Sequence, residues 1–152
     1  MEITILAVGK LRSYFREAAD EYAQRLQRYV TLDEIEFKEG RGSTAAEIER
    51  DEGRRMVEKL PRGAMVIALS RDGSGWSSTE VARRIERWGN RPLVFALGGS
   101  TGLGKDLLGY ADYRWSLGPI TLPHELARVV VYEQLYRAFT ILRGEPYHKG
   151  KA

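Results

Sequence analysis

The sequence predicts an α/β fold: a mainly parallel sheet with helices on both faces. Three observations carry that prediction. Short apolar runs at 3–8, 65–69 and 93–97, the first of them rich in β-branched residues, read as buried strands. Segments with apolar residues at helical spacing separate them. Glycine punctuates the run ends, singly at Gly9 and as a glycine-rich loop from Gly98.

The elements follow in order. After the first strand, Phe15, Ala18, Ala19, Tyr22, Leu26 and Val30 recur at helical spacing. Residues 32–37 place Leu32, Ile35 and Phe37 among carboxylates and read as a half-exposed strand. The loop 38–43 leads into Thr44-Ala45-Ala46-Glu47, a capping box that opens a charged helix reaching Leu60, where Pro61-Arg62-Gly63 stops it. The strand at 65–69 comes next. Ser77-Ser78-Thr79-Glu80 then starts a helix with Val81, Ile85 and Trp88 on one face, closed by Gly89-Asn90. The strand at 93–97 runs into the glycine loop 98–104, a short helix at 105–110 and a weakly alternating strand at 113–117. The last long helix begins at Pro123, a favoured first helical residue, and ends before Gly144 and Pro146.

The 152 residues are expected to form one domain, 1–152, since no repeat, low-complexity tract or long linker interrupts them. Hydrophobic residues at 43% are enough for a core. No apolar run approaches the roughly 18 residues of a membrane span, and the N-terminus lacks the basic region of a signal peptide. A soluble, cytoplasmic protein is the expectation. Cysteine is absent and only His124 and His148 are present, so no metal site is expected. A net charge of +3 permits a nucleic-acid partner without demanding one.

In such folds ligands sit at the carboxyl ends of strands, here 69–75, 98–104 and 117–122. The middle loop almost matches two motifs. Gly99 to Asp106 lacks only the final hydroxyl of the G-x-x-x-x-G-K-[ST] phosphate loop, where Asp106 would set a carboxylate beside the phosphates. Gly98-Gly99-Ser100-Thr101-Gly102 fits the G-x-S-x-G nucleophile elbow, but Asp112 and His124 are too close together to come from two later strands of a hydrolase sheet. What remains is a loop of small residues that exposes its backbone N–H groups to a ligand or simply turns tightly.

Beyond the loop the chain continues with Trp115-Ser116-Leu117-Gly118-Pro119-Ile120-Thr121-Leu122-Pro123-His124, then Glu133-Gln134-Leu135-Tyr136-Arg137-Ala138, then Gly144-Glu145-Pro146-Tyr147-His148-Lys149. In content and order, and together with Ala7-Val8-Gly9-Lys10 at the start, this resembles the RlmH family, bacterial ribosomal RNA large subunit methyltransferases H. The resemblance covers the whole chain. It implies the SPOUT class, whose C-terminal part is threaded into a trefoil knot. It also implies S-adenosylmethionine as methyl donor, N3 of a pseudouridine in 23S rRNA of the assembled ribosome as acceptor, and a homodimer. By carry-over, cofactor contacts are expected at Leu69, at Gly98, and along Leu117, Gly118, Pro119, Ile120, Thr121 and Leu122.

Methyl transfer is an in-line displacement, so positioning dominates, and N3 must also lose its proton. The tail residues Tyr147 and His148 are the expected catalytic pair, with His148 as proton acceptor. Arg128 joins them through a stripe with Tyr132, Tyr136 and Arg143 along the last helix, read as an RNA-binding face or a dimer interface. Arg83, Arg84, Arg87 and Arg91 suggest a second basic surface. Two alternatives stay open on the residues alone: a non-enzymatic ribosome-binding module, and a methyltransferase of the same fold acting on another RNA such as tRNA.

Overall fold

The apolar runs pair as parallel strands, because a chain that alternates strands with helices must cross over after each strand and re-enter the sheet in the same direction. A computed structural model describes residues 1–149. Its elements are β1 (Glu2–Val8), α1 (Ser13–Leu26), β2 (Thr31–Phe37), α2 (Ala45–Val57), β3 (Met65–Gly75), α3 (Ser78–Trp88), β4 (Leu93–Leu97), α4 (Lys105–Leu108), β5 (Tyr113–Ser116) and α5 (His124–Leu142). They form a five-stranded sheet in the order β2-β1-β4-β3-β5, with every pair parallel.

Alternating side chains divide the core into two layers. On one face Ile3, Ile5, Ala7, Ile67 and Phe95 pack under α1, α3 and α5. On the other, Leu6, Val8, Val66, Val94 and Ala96 pack against Met56 of α2 and Leu107 of α4. The same alternation splits the apolar residues of β2: Leu32 joins the α1/α5 layer, while Ile35 and Phe37 join the α2 layer. The helix starts follow the expected chemistry. Thr44 Oγ1 accepts from Glu47 N at 3.2 Å, and Ser77 Oγ accepts from Glu80 N at 3.1 Å.

Two elements differ from the sequence reading. The strand expected to end at Leu69 continues to Gly75. Leu69 and Ser74 both pair with Trp115, so residues 70–73 bulge out between them. The polar bulge hides the strand period, and a glycine makes it fit: a Cβ on Gly73 would lie 2.5 Å from the carbonyl carbon and oxygen of Arg114. Gly73→Ala is therefore expected to lower stability by about 1–3 kcal/mol through overpacking against backbone, measurable by urea denaturation.

The second difference concerns α5, whose expected exposed stripe is internal. Arg128, Tyr132 and Tyr136 are buried, because α1 packs on one flank of the helix and α3 on the other. Only Arg143, beyond the helix end, remains exposed. Arg128 thus belongs to the interior rather than to an RNA-facing or subunit-facing surface.

Candidate functional site

The carboxyl ends of β3, β4 and β5 open into one cleft of about 810 Å³, a size suited to a nucleotide-sized ligand. The three loops singled out from the sequence converge there. Leu69, Gly98, Leu117, Gly118, Ile120, Thr121 and Leu122 all line it, whereas Pro119 does not. The walls mix leucines (69, 97, 103, 108, 117 and 122) with polar groups from Ser70, Asp72, Ser100, Thr101 and Thr121. Trp115, Ser116 and the bulge residues Ser70, Arg71 and Asp72 also line the cleft. Residues 70–72 fall inside the first of the three strand ends expected to carry a ligand, whereas Trp115 and Ser116 lie just before the third.

The glycine loop is folded against itself. Gly102 N donates to Gly99 O at 3.1 Å, and a Cβ on Gly98 would meet Gly102 C at 2.4 Å and Leu103 N at 2.8 Å. Gly98 is required by backbone-to-backbone approach. Gly118 has a different reason: φ of +116° with open space where a Cβ would point. Its turn is closed by Ser116 Oγ, which lies 3.2 Å from both the N–H and the carbonyl of Gly118. The cleft therefore presents bare backbone from two loops, with apolar wall between. That donor set suits an adenosyl group, which offers a flat apolar ring with hydrogen-bonding edges.

The near-motifs dissolve in three dimensions. Lys105 and Asp106 start the four-residue α4, which packs on α2, and neither lines the cleft. Asp112 caps the opposite end of the sheet, where its Oδ2 accepts from Val66 N at 2.8 Å, so no Ser-Asp-His arrangement forms. His124, the first residue of α5, does line the cleft.

Arg128 is the hinge pin of the region below. Its Nη2 donates to Gly9 O at 2.8 Å and Val8 O at 3.2 Å, and its Nη1 bonds Glu34 Oε2 at 2.8 Å and Glu36. Arg16 of α1 bonds the same two carboxylates. Burial works against charge on Glu34, but hydrogen bonds and charge from Arg16, reinforced by Arg128, hold its carboxyl below the usual carboxylate range. Glu34 and Glu36 share a strand face by their spacing of two, a signal in the sequence that no partner revealed until α5 was placed beside them.

The tail lies elsewhere. Tyr147 Oη donates to Glu133 Oε2 at 2.7 Å, and Arg137 Nη1 faces His148 Nδ1 at 3.0 Å. Burial and the Glu133 carboxylate push the Tyr147 hydroxyl well up. Glu133 and Arg137 stand 9 and 13 residues along α5 from His124, roughly 14–20 Å at the helical rise. Within one chain, the expected catalytic pair and the cleft are separate. The second basic surface is partly neutralised, since Arg83, Arg84 and Arg87 all approach Glu80 and Arg91 bonds the carbonyls of Gly63 and Ala64.

Among the described residues no group of acidic or histidine side chains could hold a metal ion, and no helix is long and apolar enough to cross a membrane. A family model described as "Predicted SPOUT methyltransferase" matches residues 1–148. A protein of Rubrobacter xylanophilus named ribosomal RNA large subunit methyltransferase H is 46% identical, with 95% of this chain and 96% of that one aligned. A protein of the same name from Acetivibrio thermocellus is 40% identical over 98% of this chain and all of its own. The solved structure of a probable methylase family protein from Haemophilus influenzae Rd KW20 superposes with a TM-score of 0.59, covering 99% of this chain and 71% of that one, at 13% identity. That last likeness concerns the fold.

Proposed function

The chain belongs to the SPOUT methyltransferase family, and on that premise we propose that it transfers a methyl group from S-adenosylmethionine to N3 of a pseudouridine in 23S rRNA. The observation that carries this reading is the convergence of three strand-end loops on one cleft in a chain that aligns end to end with ribosomal RNA large subunit methyltransferases H. The knot expected for the C-terminal part comes with the family.

The donor supplies an electrophilic methyl group on a sulfonium. The protein's part is to bind, orient and exclude water. Leu69, Gly98, Leu117, Gly118, Ile120, Thr121 and Leu122 would hold the adenosyl group. Because the cleft is open, the acceptor base must be presented from outside, as an unpaired nucleotide of a folded RNA can be. The assembled ribosome, in the cytoplasm, would supply that presentation.

Tyr147 and His148 act at the acceptor in this reading, and they do so in a homodimer. A tail roughly 14–20 Å along the helix axis from its own cleft reaches a reacting base only when a second copy sets the two side by side. Arg128 contributes by holding the start of α5 against the end of β1.

The test uses radiolabelled S-adenosylmethionine, purified protein and 70S ribosomes lacking the modification, followed by mapping of the label. Label at one pseudouridine of 23S rRNA is the expected result. Donor binding without label in ribosomes, and label in tRNA instead, would overturn the substrate. Absence of donor binding would overturn the activity in favour of a non-enzymatic ribosome-binding module.

A further inference from the structure

We infer that the β1–α1 loop, through Lys10, Arg12 and Tyr14, is a lip on which unpaired RNA lies as the acceptor nucleotide enters the cleft. The two cations meet phosphates, and the tyrosine ring stacks on a base beside the acceptor. The inference rests on the rRNA reading above and names the surface that meets the RNA.

The root of the lip is held from three sides. Gly9 turns the chain at a φ of +86°, and its N–H donates to Phe37 O at 2.7 Å. Its carbonyl accepts from Arg128 Nη2 at 2.8 Å. Three residues on, Arg12 N donates to Glu125 Oε1 at 2.7 Å, which ties the loop to the first turn of α5. A loop fixed in this way presents its side chains without the ordering cost that a loose one incurs on binding.

The same contacts set the lip beside the cleft. Glu125 follows His124, which lines the cleft, and a Cβ on Gly9 would lie 4.0 Å from His124 Nε2. Lys10, Arg12 and Tyr14 are all exposed. Among the described residues Lys10 pairs with no carboxylate, and the Arg12 guanidinium meets Glu125 only at 3.5 Å while its Nη1 donates to Tyr14 Oη at 3.1 Å. Both cations keep donors for a phosphate.

The large exposed apolar side chains among the described residues are Tyr14, Tyr110, Tyr113 and Ile120. Tyr110 and Tyr113 flank Asp112 at the far end of the sheet, and Ile120 lines the cleft. Tyr14, 57% exposed, belongs to the lip. Cations beside an open aromatic ring hold single-stranded nucleic acid by neutralising phosphates and by stacking, which tolerates any base. The free lysine argues against a protein partner, because lysine is depleted from protein interfaces.

The test uses the full-length protein and 70S ribosomes lacking the modification. Lys10→Gln with Arg12→Gln should raise the KM for ribosomes about tenfold, leave kcat within about threefold, and flatten the log–log salt dependence of kcat/KM by roughly one to two, the share of two phosphates. Tyr14→Ser should raise KM by about fivefold to a hundredfold through lost stacking, and Tyr14→Phe, which keeps the ring, should recover most of that. Calorimetry should show unchanged donor affinity in each variant. Arg83→Gln with Arg87→Gln removes the same number of cations from α3 and should leave the salt dependence as in the wild type. Wild-type KM and salt dependence in the Lys10 and Arg12 variant, or an equal change in the α3 control, would overturn the lip. A photoreactive benzophenone side chain in place of Tyr14 should crosslink to 23S rRNA within a few nucleotides of the methylated one. Crosslinking only to a ribosomal protein or to a second copy of this chain would overturn the RNA partner. If the wild-type protein methylates no ribosomal RNA, the rRNA reading falls, while the crosslink still decides the lip: RNA supports it and its absence overturns it.

Discussion

Gly98→Ala is expected to weaken binding of S-adenosylmethionine by roughly fivefold to a hundredfold while leaving the protein folded. A methyl group at this position would lie 2.4 Å from Gly102 C and 2.6 Å from Gly102 O, and backbone cannot rotate out of the way as a side chain can. Overpacking of this kind costs about 1–3 kcal/mol, and it falls on the loop that presents N–H groups to the cleft. Gly63→Ala provides the control. Gly63 is a positive-φ glycine in open space after α2, away from the cleft, so its substitution should lower the melting temperature and leave donor affinity alone. Isothermal calorimetry and thermal melts on the two variants separate the effects. If Gly98→Ala binds the donor as wild type does, the glycine loop does not hold it.

Arg128→Met should be strongly destabilising. Arg128 is 1% exposed, and its guanidinium bonds two carboxylates and two carbonyls. Removing one partner from a buried ionic cluster typically costs about 3–5 kcal/mol, because the remaining charges stay buried without their counterion. Arg128→Lys, which keeps the charge and loses the planar fork, should recover only part of that. The cluster also gives stability a pH dependence. The folded-state pKa of Glu34 is depressed, so its contribution is complete above the ordinary carboxylate pKa of about 4.3 and is lost as pH falls through the lower folded value. Denaturation curves from neutral to acid pH should show an acid limb in the wild type that Arg16→Met flattens and Arg128→Met only reduces, because Arg16 supplies the larger share of the hydrogen bonding and charge at Glu34. An Arg128→Met protein with wild-type stability would mean that the cluster contributes nothing net.

Much of this was legible in the chain. The runs at 3–8 and 93–97 are apolar but for Thr4 because parallel strands are covered on both faces, so strand and burial could be read together. The converging loops could be located because ligands meet such sheets at strand ends. The extension of β3 was not legible. Residues 70–73 carry no apolar alternation, and only their pairing with β5 across a bulge makes the flanking residues one strand. Pro119 was grouped with its neighbours by position in the chain, but it does not join them in lining the cleft.

The last helix shows the division most clearly. Its start, its end and one apolar face follow from Pro123, Gly144 and the spacing of Val131, Leu135 and Ala138. Its arginine and tyrosines at i, i+4 and i+8 looked like a surface, since charged and hydroxylated side chains ordinarily face water. They are interior because α1 and α3 flank the helix and because Glu34 and Glu36, almost a hundred residues earlier, supply the counter-charges. Sequence determines local periodicity, turn chemistry and family membership, all of which depend on neighbours in the chain. Whether a polar residue is buried depends on partners distant in the chain, and only the tertiary structure brings those together.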